Sequence, residues 1–167
     1  MTEPPQLIRI GLRKRGTGVT LRLRWDKSPL TCAAVLRQLP VENQAWHAKY
    51  ANNEIYTLTP PFADMPPMEW GCVYPAPGDL LYIPIPRGAF LPPGSPPMDV
   101  SRGLVDYGYF YERGNTLVAG PAGPVPGTIF ATARSIEEVE AFAESCVDMW
   151  FRGVEGERLY LQLGGDG

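Results

Sequence analysis

The sequence predicts a mainly β fold, a barrel or a sandwich, and three observations carry that prediction. Glycine and proline number 18 and 19 among 167 residues. In a helix interior Gly costs about 1 kcal/mol and Pro about 3 kcal/mol, so this load excludes a helical bundle. Several short segments alternate apolar and polar side chains, the period of a half-buried strand. Only two segments carry a helical pattern, so the repeated strand–helix units of a parallel sheet are missing. The prolines follow no period, which excludes a collagen-like helix.

The elements follow in order. QLIRIGL (6–12) and GVTLRLRW (18–25) alternate strictly, and Lys14 to Gly18 turns between them, a hairpin. A short helix follows over about 29–38. Ser28 is its N-cap candidate, Pro29 sits at the first helical position and Pro40 ends it. Trp46 to Tyr50 reads as a strand, Asn52-Asn53 as a turn and Glu54 to Leu58 as the returning strand. Residues 60–78 form a stiff Pro-rich excursion in which Phe62, Met65, Trp70 and Tyr74 supply packing surface. GDLLYIPI (78–85) is the next strand. Arg87 to Val100 is a loop without period, and LVDYGYFY (104–111) alternates around a central glycine. Thr128 to Ala133 is a short strand, and 157–163 is the last.

One long helix stands out, SIEEVEAFAESCVDMWFRG. Ser135 and Glu138 form a capping box. Ile136, Val139, Phe142, Ala143, Cys146, Met149 and Trp150 make an apolar stripe at helical spacing. The total is about eight strands and two helices in a single domain, 1–167, with its core over about 7–163.

Composition excludes several functions. The net charge is −3 with a pI near 5.2, and the short basic runs Arg13-Lys14-Arg15 and Arg22/Arg24 form no nucleic-acid-binding face. No apolar run is long enough to span a membrane, and the N-terminus has no apolar signal segment, so the expected location is the cytoplasm. Cys32, Cys72 and Cys146 lie far apart and read as inert thiols. There is no phosphate loop and no Gly-x-Ser-x-Gly. His47 is the only histidine, so a multi-histidine zinc site is impossible and no metal site or cofactor is expected.

The order of elements is similar to that of a cyclophilin-like barrel. DKSPLTCAAVLRQLP, HAKYANNEIYTL, YPAPGDLLYIP, PGTIFATA and the final helix with WFRG resemble a prokaryotic cyclophilin-like family of unknown function. The resemblance implies a closed eight-stranded barrel with two helices covering its openings. It implies no established substrate. Cyclophilin isomerases carry Phe-His-Arg where this chain has Trp46-His47-Ala48. Alanine supplies no donor to the prolyl nitrogen, and Lys49 falls on the opposite strand face. Only Arg87 or Arg113 is left to reach the site from a loop.

The candidate ligand-binding residues are Trp46, His47, Glu54, Tyr56, Tyr82, Tyr109 and Asn115. Cross-strand pairing puts Glu54 within reach of His47 or Lys49. The tyrosines are polar handles in an aromatic cleft. By parity Tyr107, Tyr109 and Tyr111 share a face. The leading expectation is non-catalytic binding of a small molecule or peptide near His47, with no catalytic residue assigned. The alternatives are a prolyl isomerase with an atypical site, an interaction or structural subunit without a ligand, and a hydrolase or lyase using His47 with Glu54. A homodimer through an exposed edge or the Trp70/Phe90 loops is also open.

Overall fold

The structure is a computed structural model and describes residues 4–87, 93, 95, 97–118 and 123–165. Among the described residues ten strands and two helices follow in the order β1 (Leu7–Leu12), β2 (Thr17–Leu23), α1 (Pro29–Leu36), β3 (Val41–Gln44), β4 (Trp46–His47), β5 (Glu54–Thr59), β6 (Gly71–Cys72), β7 (Asp79–Ile85), β8 (Leu104–Phe110), β9 (Gly127–Ala133), α2 (Ile136–Arg152) and β10 (Arg158–Leu163). The strands form one antiparallel sheet in the order β3-β10-β1-β2-β9-β7-β8-β5-β4, with β6 added on β9.

This corrects the expectation of a closed eight-stranded cyclophilin-like barrel. The sheet has ten strands and is open, ending at β3 and β4, which no backbone ladder joins among the described residues. Those end strands are neighbours in the chain, with only Ala45 between them. Where β3 passes β5, side chains stand in for a ladder. Asn43 Nδ2 donates to the Leu58 carbonyl and Thr57 Oγ1 donates to the Gln44 carbonyl, each at 2.8 Å. The two extra strands are β3, whose VENQ sequence has little alternation, and the two-residue β6.

The main core lies on one face of the sheet. Ile8, Ile10, Leu21, Leu80, Tyr107, Tyr109, Phe130 and Leu161 meet α2 through Phe142, Cys146 and Met149. A smaller cluster of Leu81, Ile83, Phe110, Leu117 and Ile129 lies on the other face. The Pro-rich excursion contributes to both. Phe62 stacks on Tyr82 at 5.5 Å, and Trp70 joins the smaller cluster beneath the Arg24 guanidinium.

Helix ends differ in how they are capped. Ser135 Oγ accepts from the Glu138 N–H, but the Glu138 carboxylate turns to the Thr20 N–H, so the capping box is only half made. Ser28 does not cap α1 with its side chain; its hydroxyl donates to the Ile129 carbonyl at 2.6 Å. Glu69, from the excursion, accepts from the N–H groups of Leu30 and Thr31 and from the Thr31 hydroxyl. The stripe of α2 is buried at Val139, Phe142, Cys146 and Met149, while Ile136 and Trp150 are about half exposed. Phe90, Pro92, Gly94 and Pro96 lie outside the described residues, so of the two loops expected to join a homodimer only the Trp70 loop is among them.

Candidate functional site

The β4–β5 hairpin decides which polar side chains meet. Its register pairs Trp46 with Tyr56 and His47 with Ile55, and the Ala48 N–H bonds the Glu54 carbonyl. Side chains alternate along a strand, so Trp46, Glu54 and Tyr56 lie on one face and His47 on the other. The connecting turn passes through Asn52 at φ 66, a left-handed conformation that asparagine tolerates. Asn52 Nδ2 and Asn53 Nδ2 donate to the Gly114 and Arg113 carbonyls. Asn115 Oδ1 accepts from Asn53, and its amide donates to the Pro75 and Glu112 carbonyls. Asn115 is therefore a buried clamp between three loops.

His47 is fully engaged on the core side. Its Nδ1 lies 2.9 Å from the Ala48 carbonyl, which can only accept, so Nδ1 carries the proton. Nε2 then accepts from the Tyr111 hydroxyl at 2.7 Å. The ring packs on Trp150 of α2, with centroids 4.7 Å apart. Burial lowers its pKa below the ordinary 6.5, which favours the neutral ring. No arginine is bonded to it, from Arg87, Arg113 or elsewhere among the described residues.

Tyr82, Tyr107 and Tyr109 lie on this same core face. Tyr82 donates to the Met65 sulfur at 3.4 Å, and burial pushes its phenol up to about 12. Tyr109 packs on Phe142 at 5.4 Å. The hydroxyls of Tyr107 and Tyr109 are buried without a partner. The phenolic face predicted by parity exists, and it is core.

The opposite face of β5 and β8 is different. β8 pairs with β5 so that Glu54, Tyr56 and Leu58 stand opposite Phe110, Gly108 and Asp106. Glu54 is 5% exposed, yet its Oε1 has no hydrogen-bond partner. Asp106 is half-buried, and its Oδ1 is likewise buried and unpartnered. Gly108 makes the arrangement possible, because a Cβ there would collide with the Glu54 carboxyl oxygen. Burial pushes both carboxyls well above their ordinary values, and the charge of Asp106 adds to the effect on Glu54. Tyr56 is raised too, by burial first and then by both carboxyls, so it keeps its proton. Trp46 and Tyr56 are half-buried at the margin of this pair.

The arrangement offers two unpartnered carboxyl oxygens on a face shared with Trp46 and Tyr56. A close carboxyl pair of this kind can retain a proton at neutral pH or give it up to an arriving cation. Among the described residues no group of three His, Cys, Asp or Glu side chains forms a metal site. The sequence-level reading missed Asp106. The signal was present in LVDYGYF, where Leu104, Asp106, Gly108 and Phe110 share a face and a charge interrupts it next to a glycine.

Comparison with known proteins sets this geometry in context. Residues 10–161 match the family model described as "Protein of unknown function (DUF3830)". The chain belongs to the DUF3830 family. No curated protein matches this DUF3830 chain. Among solved structures it is similar to one titled "Structure of McbB in complex with tryptophan", at 17% identity and a TM-score of 0.61. The alignment covers 96% of this chain and 45% of McbB, so the DUF3830 chain spans less than half the length of that protein. At this identity the likeness concerns the fold. Family and fold matches both overturn the cyclophilin-like resemblance and, with it, the isomerase reading. No helix among the described residues is long and apolar enough to cross a membrane.

Proposed function

We propose that this DUF3830 protein binds a small molecule on the β4–β5–β8 face, at Trp46, Glu54, Tyr56 and Asp106. The observation that carries the reading is the Glu54 carboxyl, buried with an oxygen that has no partner. Buried polar groups are nearly always hydrogen-bonded, and an unpaired one costs about 1–3 kcal/mol, more when charged. A ligand that donates a hydrogen bond to this carboxyl would remove that cost. The tryptophan held by the structurally similar McbB supports a small molecule as the occupant. His47, Tyr82 and Tyr109 then lie on the opposite face, and Asn115 ties the loops beside the hairpin, so none of the four lines the site. The three free cysteines support a cytoplasmic location.

The test is amide NMR of the protein with a set of small-molecule fragments. Shifts clustered at Trp46, Glu54 to Tyr56 and Asp106 to Gly108 are expected. A set that leaves this face unperturbed, or perturbs only residues elsewhere, overturns the reading.

A specific observation favours self-association as a second property. At 100° per residue, the apolar side chains of α2 cover an arc of about 200°, twice what packing on one sheet requires. Beyond the buried stripe, Ile136, Val147, Trp150 and Phe151 are exposed, Phe151 by 78%. A groove of about 560 Å³ runs beside them, lined by Pro77, Tyr111, Arg113, Ile136, Ala143 and Val147 among others. The exposed N-terminal half of α2 carries Glu137, Glu140 and Glu144, and the C-terminal end carries Arg152, which also pairs with Asp148 of its own helix at 2.8 Å. We infer that a second copy covers this face with its own α2 antiparallel. That orientation sets Arg152 against the acidic half of the other helix and Phe151 beside Ile136. Light scattering should find a dimer that Phe151→Glu converts to a monomer; a monomeric wild type overturns it.

A further inference from the structure

The geometry points to a protonated amine as the group bound on the β4–β5–β8 face, its N–H donors taken by Glu54 and Asp106 and its charge faced by the rings of Trp46 and Tyr56. This inference rests on the small-molecule reading above and gives it a chemical class.

Glu54 Oε1 and Asp106 Oδ1 are acceptors without donors, and neither residue belongs to any ion pair among the described residues. Elsewhere the chain pairs its carboxylates closely. Glu157, equally buried, accepts from the Lys14 and Arg158 N–H groups and from the Arg15 guanidinium at 2.8–3.0 Å. Asp79 accepts from the Ala76 N–H at 2.8 Å. The Glu54 pair is thus unlike the other buried carboxyls of this protein. The side chains beside it do not complete it. Ala48, Leu58, Leu81, Ile83 and Phe110 supply no donor, the Trp46 N–H and the Tyr56 hydroxyl bond neither unpartnered oxygen, and Gly108 supplies only room for the carboxyl.

The missing partner must therefore donate, and must donate more than once. An ammonium carries three N–H donors and no acceptor. It also carries the charge that two crowded carboxyls call for. An anionic ligand would face like charge on two sides. A hard divalent cation takes six or more oxygen ligands, whereas this face offers carboxyls flanked by rings. Aromatic faces attract an organic cation within about 6 Å of the ring centroid, most strongly for tryptophan. Trp46 and Tyr56 pair directly across the β4–β5 ladder, so both residues stand side by side on the face that carries Glu54.

Titration calorimetry with matched probes tests this. Tryptamine carries the amine, indole-3-propionate carries a carboxylate on the same ring system, and magnesium chloride supplies a cation without a ring. Tryptamine is expected to bind, with indole-3-propionate weaker by about tenfold or more. Glu54→Gln and Asp106→Asn are each expected to weaken tryptamine by about tenfold. Asp106→Asn, at a half-buried position, keeps the test available if Glu54→Gln impairs folding. Equal binding of the two indoles overturns the amine while leaving the small-molecule reading standing. Magnesium binding lost in Asp106→Asn, with no tryptamine binding, replaces the amine with a metal ion and also overturns it. Failure of every probe, with fragments still shifting the face by NMR, rejects the amine alone.

Discussion

The two faces of β5 and β8 are built from alternate residues of the same two strands, and they treat polar groups in opposite ways. The core face carries His47, Tyr107, Tyr109 and Tyr111. Its imidazole is bonded at both nitrogens, and its unpartnered groups are neutral hydroxyls. The other face carries Glu54, Tyr56 and Asp106, and its unpartnered groups are carboxyls. A lone buried hydroxyl costs a few kcal/mol at most, whereas a lone buried carboxylate must stay protonated or find a cation. The difference separates a polar residue that completes packing from one that awaits a partner.

The largest expected effect breaks the comparison on the packed side. Tyr109→Ala empties a fully buried position against Phe142. It should cost about 3–5 kcal/mol in urea unfolding. Tyr56→Ala, at a half-buried position, should cost clearly less. Equal losses would mean that the second face is as much core as the first.

A smaller effect, of opposite sign, sharpens the other side. Glu54→Leu replaces an unpartnered carboxyl with a side chain that wants no partner, and at neutral pH it should stabilise by about 1–4 kcal/mol. The sign of its pH dependence follows from the raised values. Glu54 and Asp106 titrate above their ordinary 4.5 and 3.8. Their protonated forms support folding fully below those ordinary values, and that support is lost as pH rises through the raised ones. The advantage of Glu54→Leu over wild type should therefore grow with pH. A constant difference between pH 4 and pH 8 would remove Glu54 as the unsatisfied group.

These faces also mark how far the sequence could be read. The alternation of β1, β2 and β8 and the capping serine of α2 are local signals, and they placed those elements within a residue or two. β3 has no such signal; VENQ becomes a strand only because β10 pairs with it from the far end of the chain. Whether the sheet closes is no local signal either; between β3 and β5 the Asn43 and Thr57 side chains bond where a ladder would run. The Glu69 cap on α1 comes from a loop more than thirty residues away. At the site, Trp46, Glu54 and Tyr56 are visible as residue types, but their face is not. A shift of one residue in hairpin register flips every side chain, so the expected His47–Glu54 pair depends on a turn whose exact span no pattern fixes. The register divides that pair and brings Asp106 to Glu54 instead.

The smallest expected effect tests whether His47 belongs wholly to the packed face. Tyr111→Phe keeps the ring against the imidazole and removes the hydroxyl that donates to Nε2. The nitrogen is left without its donor, at a cost of about 1 kcal/mol. Burial holds the wild-type imidazole below 6.5. The stability contributed by the neutral ring is therefore present above 6.5 and lost as pH falls through the lowered value. His47→Phe should abolish that acid-side loss while leaving tryptamine binding unchanged, because the ring lies behind the sheet from Glu54. If His47→Phe weakens tryptamine as strongly as Glu54→Gln does, the two faces act as one site and the contrast between them fails.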